Sequence, residues 1–138
     1  MPGNNNPIFS RVGDIQWVGA ALTTANTAKD GTGTVASVFT ADATNGGYVQ
    51  KLVARALGTN VATVLRVFVN NGSASTTAAN NVLVAELTLP ATTLSEVSAQ
   101  PDMTLPLNLS LPPGYKLLCT IGTTVAAGYQ LTAVGGKY

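Results

Sequence analysis

Six carboxylates and one thiol are the side chains best suited to acid-base or covalent chemistry in this chain, and histidine is absent. Two carboxylates held close together could hydrolyse a glycosidic bond, one as acid and one as base or nucleophile. The available ones are Asp14, Asp30, Asp42, Glu86, Glu96 and Asp102. Most fall in predicted turns, where a carboxylate caps its own backbone. Clustered oxygens could hold calcium, but the DxDxDG spacing is missing. Asp30 and Asp42 could meet only across the end of a loop. Without histidine there is no Ser-His or Cys-His pair, and His-containing zinc sites are excluded. A single cysteine cannot supply a cysteine-only zinc site. Cys119 takes an inward strand position, where it acts as a small hydrophobe with no base to activate it. The Gly-rich KDGTGT at 29–34 lacks both the Lys-Ser/Thr tail and the helix of a phosphate loop. The expectation is a non-enzyme with no cofactor and no metal.

The elements that would have to position such groups are built for packing. Of the 138 residues, 46% are hydrophobic and 9% charged, against about 25% charged in an ordinary domain. That is the reverse of a disordered chain and enough material for one core. The net charge is +1 and the seven basic residues are scattered, which argues against nucleic acid as a partner. No run approaches the ~20 apolar residues of a membrane span, and MPGNNNPIFSRVG lacks the regions of a secretory signal. A cytoplasmic product is expected. So weakly charged a surface is easily desolvated against a neighbour, which favours a protein that assembles or binds.

Residues 1–13 read as an N-terminal arm, with Asn4, Asn5 and Asn6 between Pro2-Gly3 and Pro7. Residues 14–138 read as one domain. Period-two alternation and β-branched residues place strands at 15–22, 34–41, 48–57, 61–70, 82–89, 103–111, 115–121 and 128–134. Lys51 and Arg55 oppose Leu52, Ala54 and Ala56. Val61, Thr63, Leu65, Val67 and Val69 oppose Arg66. Leu83, Ala85, Leu87 and Leu89 point inward. Met103, Leu105, Leu107, Leu109 and Leu111 alternate with polar residues, and Pro106 within them predicts an edge strand or a bulge. Residues 91–100 read as a short helix or an irregular crossover. No helical stripe is sustained, so the fold class is all-β, an antiparallel β-sandwich of about eight strands.

Two segments echo each other: LGTNVA at 57–62 and IGTTVA at 121–126. They occupy equivalent places in the two halves of the chain. That predicts a jelly-roll-like topology, with both connections crossing between sheets at one end. An immunoglobulin-like sandwich is the main rival.

The residues read as candidate contact points are Ile8, Phe9 and Arg11 in the arm, Trp17, Arg55, Arg66, Asn71 in the 71–81 loop, and Tyr138. The arm could pack on its own domain or reach a neighbour. Trp17 and the tyrosines Tyr48, Tyr115, Tyr129 and Tyr138 could fill the core near strand ends or anchor an interface. The two glycines before Lys137 are expected to give Tyr138 the freedom to dock on a neighbour.

The runs ANTAKDGTGTVASVFTA, ARALGTNVATVLRVFVNNG, LPLNLSLPPGYKL and IGTTVAAGYQLTAVGG resemble small virion proteins of tailed bacteriophages, over roughly residues 25–136. Some of those proteins look like capsid cement or decoration proteins, and residues 1–20 lie outside the likeness. The resemblance implies a β-sandwich that binds the major capsid protein on the capsid surface, as a homo-oligomer (dimer or trimer). It implies synthesis in the host cytoplasm. Two rivals stand beside it. One is a receptor- or carbohydrate-binding module on a head or tail fibre, which would need clustered aromatics. The other is a phage hydrolase, which would need two close carboxylates.

Overall fold

The computed structural model describes residues 10–138. Ile8, Phe9 and the rest of residues 1–9 lie outside the described residues. The strands are β1 (Val12–Trp17), β2 (Ala36–Thr40), β3 (Gly47–Ala56), β4 (Thr63–Asn70), β5 (Asn81–Leu89), β6 (Met103–Leu111), β7 (Lys116–Ile121) and β8 (Tyr129–Lys137). They form two antiparallel four-stranded sheets, ordered β1-β8-β3-β6 and β2-β7-β4-β5. That order is a jelly roll of two interlocked Greek keys.

The alternation read along the strands is the alternation of the fold. Leu52, Ala54, Leu131 and Ala133 on one sheet, and Leu65, Val67, Leu117, Cys119 and Ile121 on the other, are fully buried between the layers. Leu105, Leu107 and Leu109 of β6 pack against that core from the sheet edge. Pro106 sits on this edge strand, opposite a register shift between Val49 and Lys51. Its missing N–H costs no ladder bond there. Asn108, beside it, takes a left-handed φ of 51°, which Asn tolerates better than most residues.

Three features differ from the strand pattern read off the chain, and one open choice is resolved. Val61 precedes β4 and is exposed. Leu83 is absent from the core cluster, because a register shift between Val67 and Phe68 aligns it with Phe68. Residues 91–100 form an irregular crossover with no helix. β1 starts and ends earlier than expected, while β8 runs on to Lys137, and the two pair along their length. Val12 and Gly13, read as arm, therefore belong to β1, and the Arg11 amide donates to the Lys137 carbonyl at 2.7 Å.

Gly135 and Gly136 do not loosen the C-terminus. They are strand residues paired on both sides. A Cβ on Gly135 would strike the Tyr48 carbonyl oxygen, and one on Gly136 the Ser10 hydroxyl. Glycine is required by close approach. Tyr138 is seated on its own sheet, its hydroxyl hydrogen-bonded to Ser110 of β6.

The two echoing segments do cross between sheets side by side, and Asn60 joins them. Its Oδ1 accepts from the amides of Ala127 (2.9 Å) and Gly128 (2.8 Å), and its Nδ2 donates to the Gly128 carbonyl (3.2 Å). Its backbone bridges Thr92 in the β5–β6 crossover. Asn60 is buried, so each of those groups depends on it in place of water. Asn60→Ala should lower the unfolding free energy by about 3 kcal/mol, the cost of two orphaned amides. Urea denaturation measures this, and a loss within error of zero would show that the knot is dispensable.

Candidate functional site

β1 is turned inside out. Its polar residues Asp14 and Gln16 are half-buried, while Ile15 and Trp17 are exposed at 55% and 63%. Gln16 explains the orientation. Its Nε2 donates to the Thr40 carbonyl and its Oε1 accepts from the Thr40 amide, both at 2.9 Å. That pair of bonds fastens the edge of one sheet to the edge of the other. Gln16 Nε2 also meets Asp14 Oδ2 at 3.0 Å. With Gln16 pointing inward, the pleat sends Ile15 and Trp17 outward.

The register lines them up with neighbours on the outer face. Trp17, Thr132, Val53 and Thr104 form one row across all four strands, and Ile15, Val134, Lys51 and Pro106 the next. Arg55 and Gln130 share a further row. The side chains in a row lie within contact of each other. Trp17, Ile15, Val53 and Val134 thus share this face with Thr132, Thr104 and Lys51, and Arg55 stands in the next row. Arg55 reaches Asp102 at 3.5 Å, with both side chains more than half exposed. Such a pair contributes little on its own and both ends stay accessible.

The expected contact residues divide between two faces. Trp17 and Arg55 share the outer face of β1-β8-β3-β6, and Arg11 and Tyr138 lie at the ends of its β1 and β8 strands. Arg66 is on the other sheet and is used internally. Its Nε meets Glu86 Oε1 at 3.1 Å and only 12% of its side chain is exposed. Its Nη1 is buried without a partner, as is the hydroxyl of Thr120 directly beside it. It presents no free cation. Asn71 is exposed and braces the 71–80 segment, bonding Asn80 and the Ser73 amide. Ile15, Val53, Thr132 and Val134 were not singled out in the sequence. The available signal was the pairing of Ile15 and Trp17 opposite Asp14 and Gln16, which by itself argues for the wrong face.

Two of the candidate carboxylates, Asp30 and Asp42, cap turns. Asp30 accepts from the Thr32 hydroxyl (2.6 Å) and amide (3.1 Å), which hold its carboxyl below the usual range. Asp42 is lowered likewise by the amides of Asn45 and Thr44, at 2.8 and 2.9 Å. Among the described residues, no group of three or more His, Cys, Asp or Glu could hold a metal ion. Burial pushes the Cys119 thiol well above its ordinary pKa, so it stays protonated and unreactive.

A carboxylate whose pKa is depressed by folding stabilises the fold above its unfolded pKa, and that stability is lost as pH falls through the folded one. With no histidine, the chain lacks the side chain whose ordinary pKa falls between about pH 5 and 8. The urea midpoint should be flat across that window and fall below it. Asp42→Asn keeps the cap acceptor and should remove part of the acid-side fall. A sloped midpoint near neutrality would contradict this.

No protein-family model, curated protein or solved structure matches the chain.

Proposed function

We propose that the protein is a structural protein of a bacteriophage virion, a capsid decoration protein that lies on the head surface. Its outer β1-β8-β3-β6 face would rest against the major capsid protein. One observation carries the reading. An edge strand places Trp17 and Ile15 in solvent while polar Gln16 and Asp14 point inward. A tryptophan exposed at 63% beside Ile15, Val53 and Val134 is the residue type that dominates binding hot spots, and a partner would remove it from water. The sparse charge and the likeness to phage virion proteins support the same reading. A fold shared with lectins and capsid proteins alike does not by itself choose a function.

The mechanism is stabilisation by contact. A protein that binds only the mature lattice geometry shifts the equilibrium toward the expanded shell. Self-association into a dimer or trimer multiplies weak contacts across neighbouring capsomers through avidity.

Heads lacking the protein provide the test. Trp17→Ala should weaken binding roughly 30-fold, the effect of a hot-spot loss of about 2 kcal/mol. Trp17 is the one tryptophan, so its fluorescence should shift to the blue when wild-type protein binds. Truncation of residues 1–9 leaves β1 intact and isolates the contribution of the arm. Unchanged occupancy of the Trp17→Ala protein would sink the proposal. A glycan-array signal that depends on Trp17 would replace it with a carbohydrate-binding role.

A further inference from the structure

The opposite sheet carries a cavity that the outer β1-β8-β3-β6 face does not use. The 71–80 segment folds back over β7 and β4, and a hollow of about 310 Å³ lies between it, β2 and β7. Ser37, Ser73, Ser75, Lys116 and Leu118 line it, with Asn70 at the root of the loop. The loop is exposed, yet it is pinned by asparagine side chains. Asn70 Oδ1 accepts from the Gly72 amide at 2.8 Å, and Asn70 Nδ2 donates to Asn81 Oδ1 at 2.7 Å. Asn81 Nδ2 holds the Ser75 carbonyl at 2.8 Å, and Asn80 Nδ2 the Ala74 carbonyl at 2.9 Å. One wall of the cavity is therefore pre-organised, which lowers the cost of binding.

The chemistry of the lining selects the ligand. Lys116 takes part in neither ion pair of the described residues. Among the described residues nothing hydrogen-bonds the hydroxyls of Ser37, Ser73 and Ser75, which stand beside it as donors or acceptors. Leu118, buried at 3% exposure, gives an apolar floor. One cation with flanking hydroxyls suits a single carboxylate better than a phosphate, which calls for more positive charge. No aromatic ring lines the cavity, so it lacks the stacking surface a sugar would use. The volume is at the low end of ligand sites, about 300–1,000 Å³, and accommodates a glutamate side chain with its flanking main chain.

We propose that this cavity receives an acidic side chain from a partner polypeptide, with Lys116 pairing the carboxylate and the three serines fixing its approach. The inference rests on the reading of the chain as a protein-binding unit and adds a second contact on the sheet opposite Trp17. A molecule with contacts on both outer faces can bridge two neighbours.

Amide NMR of the full chain provides the test, with acetyl-Ala-Glu-Ala-amide, its Gln counterpart and glucuronate as probes. Saturable shifts at Ser37, Ser73, Ser75 and Leu118 are expected with the Glu peptide. They should be about tenfold weaker with the Gln peptide, because the lost bonds are charge-assisted. Lys116→Met should abolish the response and Lys116→Arg should keep it. Added salt should weaken it in the wild-type protein, independently of any variant's folding. Equal responses to both peptides, a response that survives Lys116→Met, or none at all would overturn the proposal. Saturation by glucuronate alone would reassign the cavity to an acidic sugar. The titration needs no capsid, so its failure is separable from a failure of Trp17-dependent head binding.

Discussion

The fold depends most on the end of the sandwich that holds four of its six crossings between sheets. Four connections cross there, after β1, β3, β5 and β7. The β1–β2 connection bonds back to strand ends through Leu22 with Tyr129 and Asn26 with Ile121, and the others lean on side chains. Asn60 meets three of these connections at once, through Thr92, Ala127 and Gly128. Thr63 adds a second tie, its hydroxyl accepting from the Thr123 amide at 2.9 Å. With the crossings fastened, the sheets lie face to face, and the inward residues of each fill one shared core. The registers that orient both outer surfaces follow from that alignment.

The alternation of Leu105, Leu107 and Leu109 or of Leu52, Ala54 and Ala56 made the inner faces legible from the chain alone. The echo of LGTNVA and IGTTVA made the crossing legible as well. What remained hidden has a common physical cause. Alternation says which residues share a face and not which face is wet. In β1 the choice is made by Gln16 bonding across to Thr40, a partner distant in sequence. Elsewhere a single bulge reverses the assignment, as at Leu83, where the register shift moves the side chain away from the core. Gly135 and Gly136 read as a flexible tether for the same reason. Nothing local reveals that the Tyr48 backbone passes against one of them.

The two outer surfaces differ in character. One is a strip of Ile15, Trp17, Val53 and Val134 with arginine and lysine beside it. The other is roofed by an asparagine-pinned loop over Phe68, Leu118 and a cavity with one lysine. Low overall charge makes both cheap to desolvate. Asp30 and Asp42 cap turns, and Arg55–Asp102 and Arg66–Glu86 are paired, while Lys116 is in neither of those pairs.

Because β1 lies against β8, the strip around Trp17 is built from the first and last strands of the fold. Pairings so distant along the chain form slowly, after nearer ones have reduced the entropy of closure. During synthesis, a ribosome-bound chain that has not yet released β8 has no such strip to offer. Trp17 and Thr132 become neighbours only when β8 has folded back against β1.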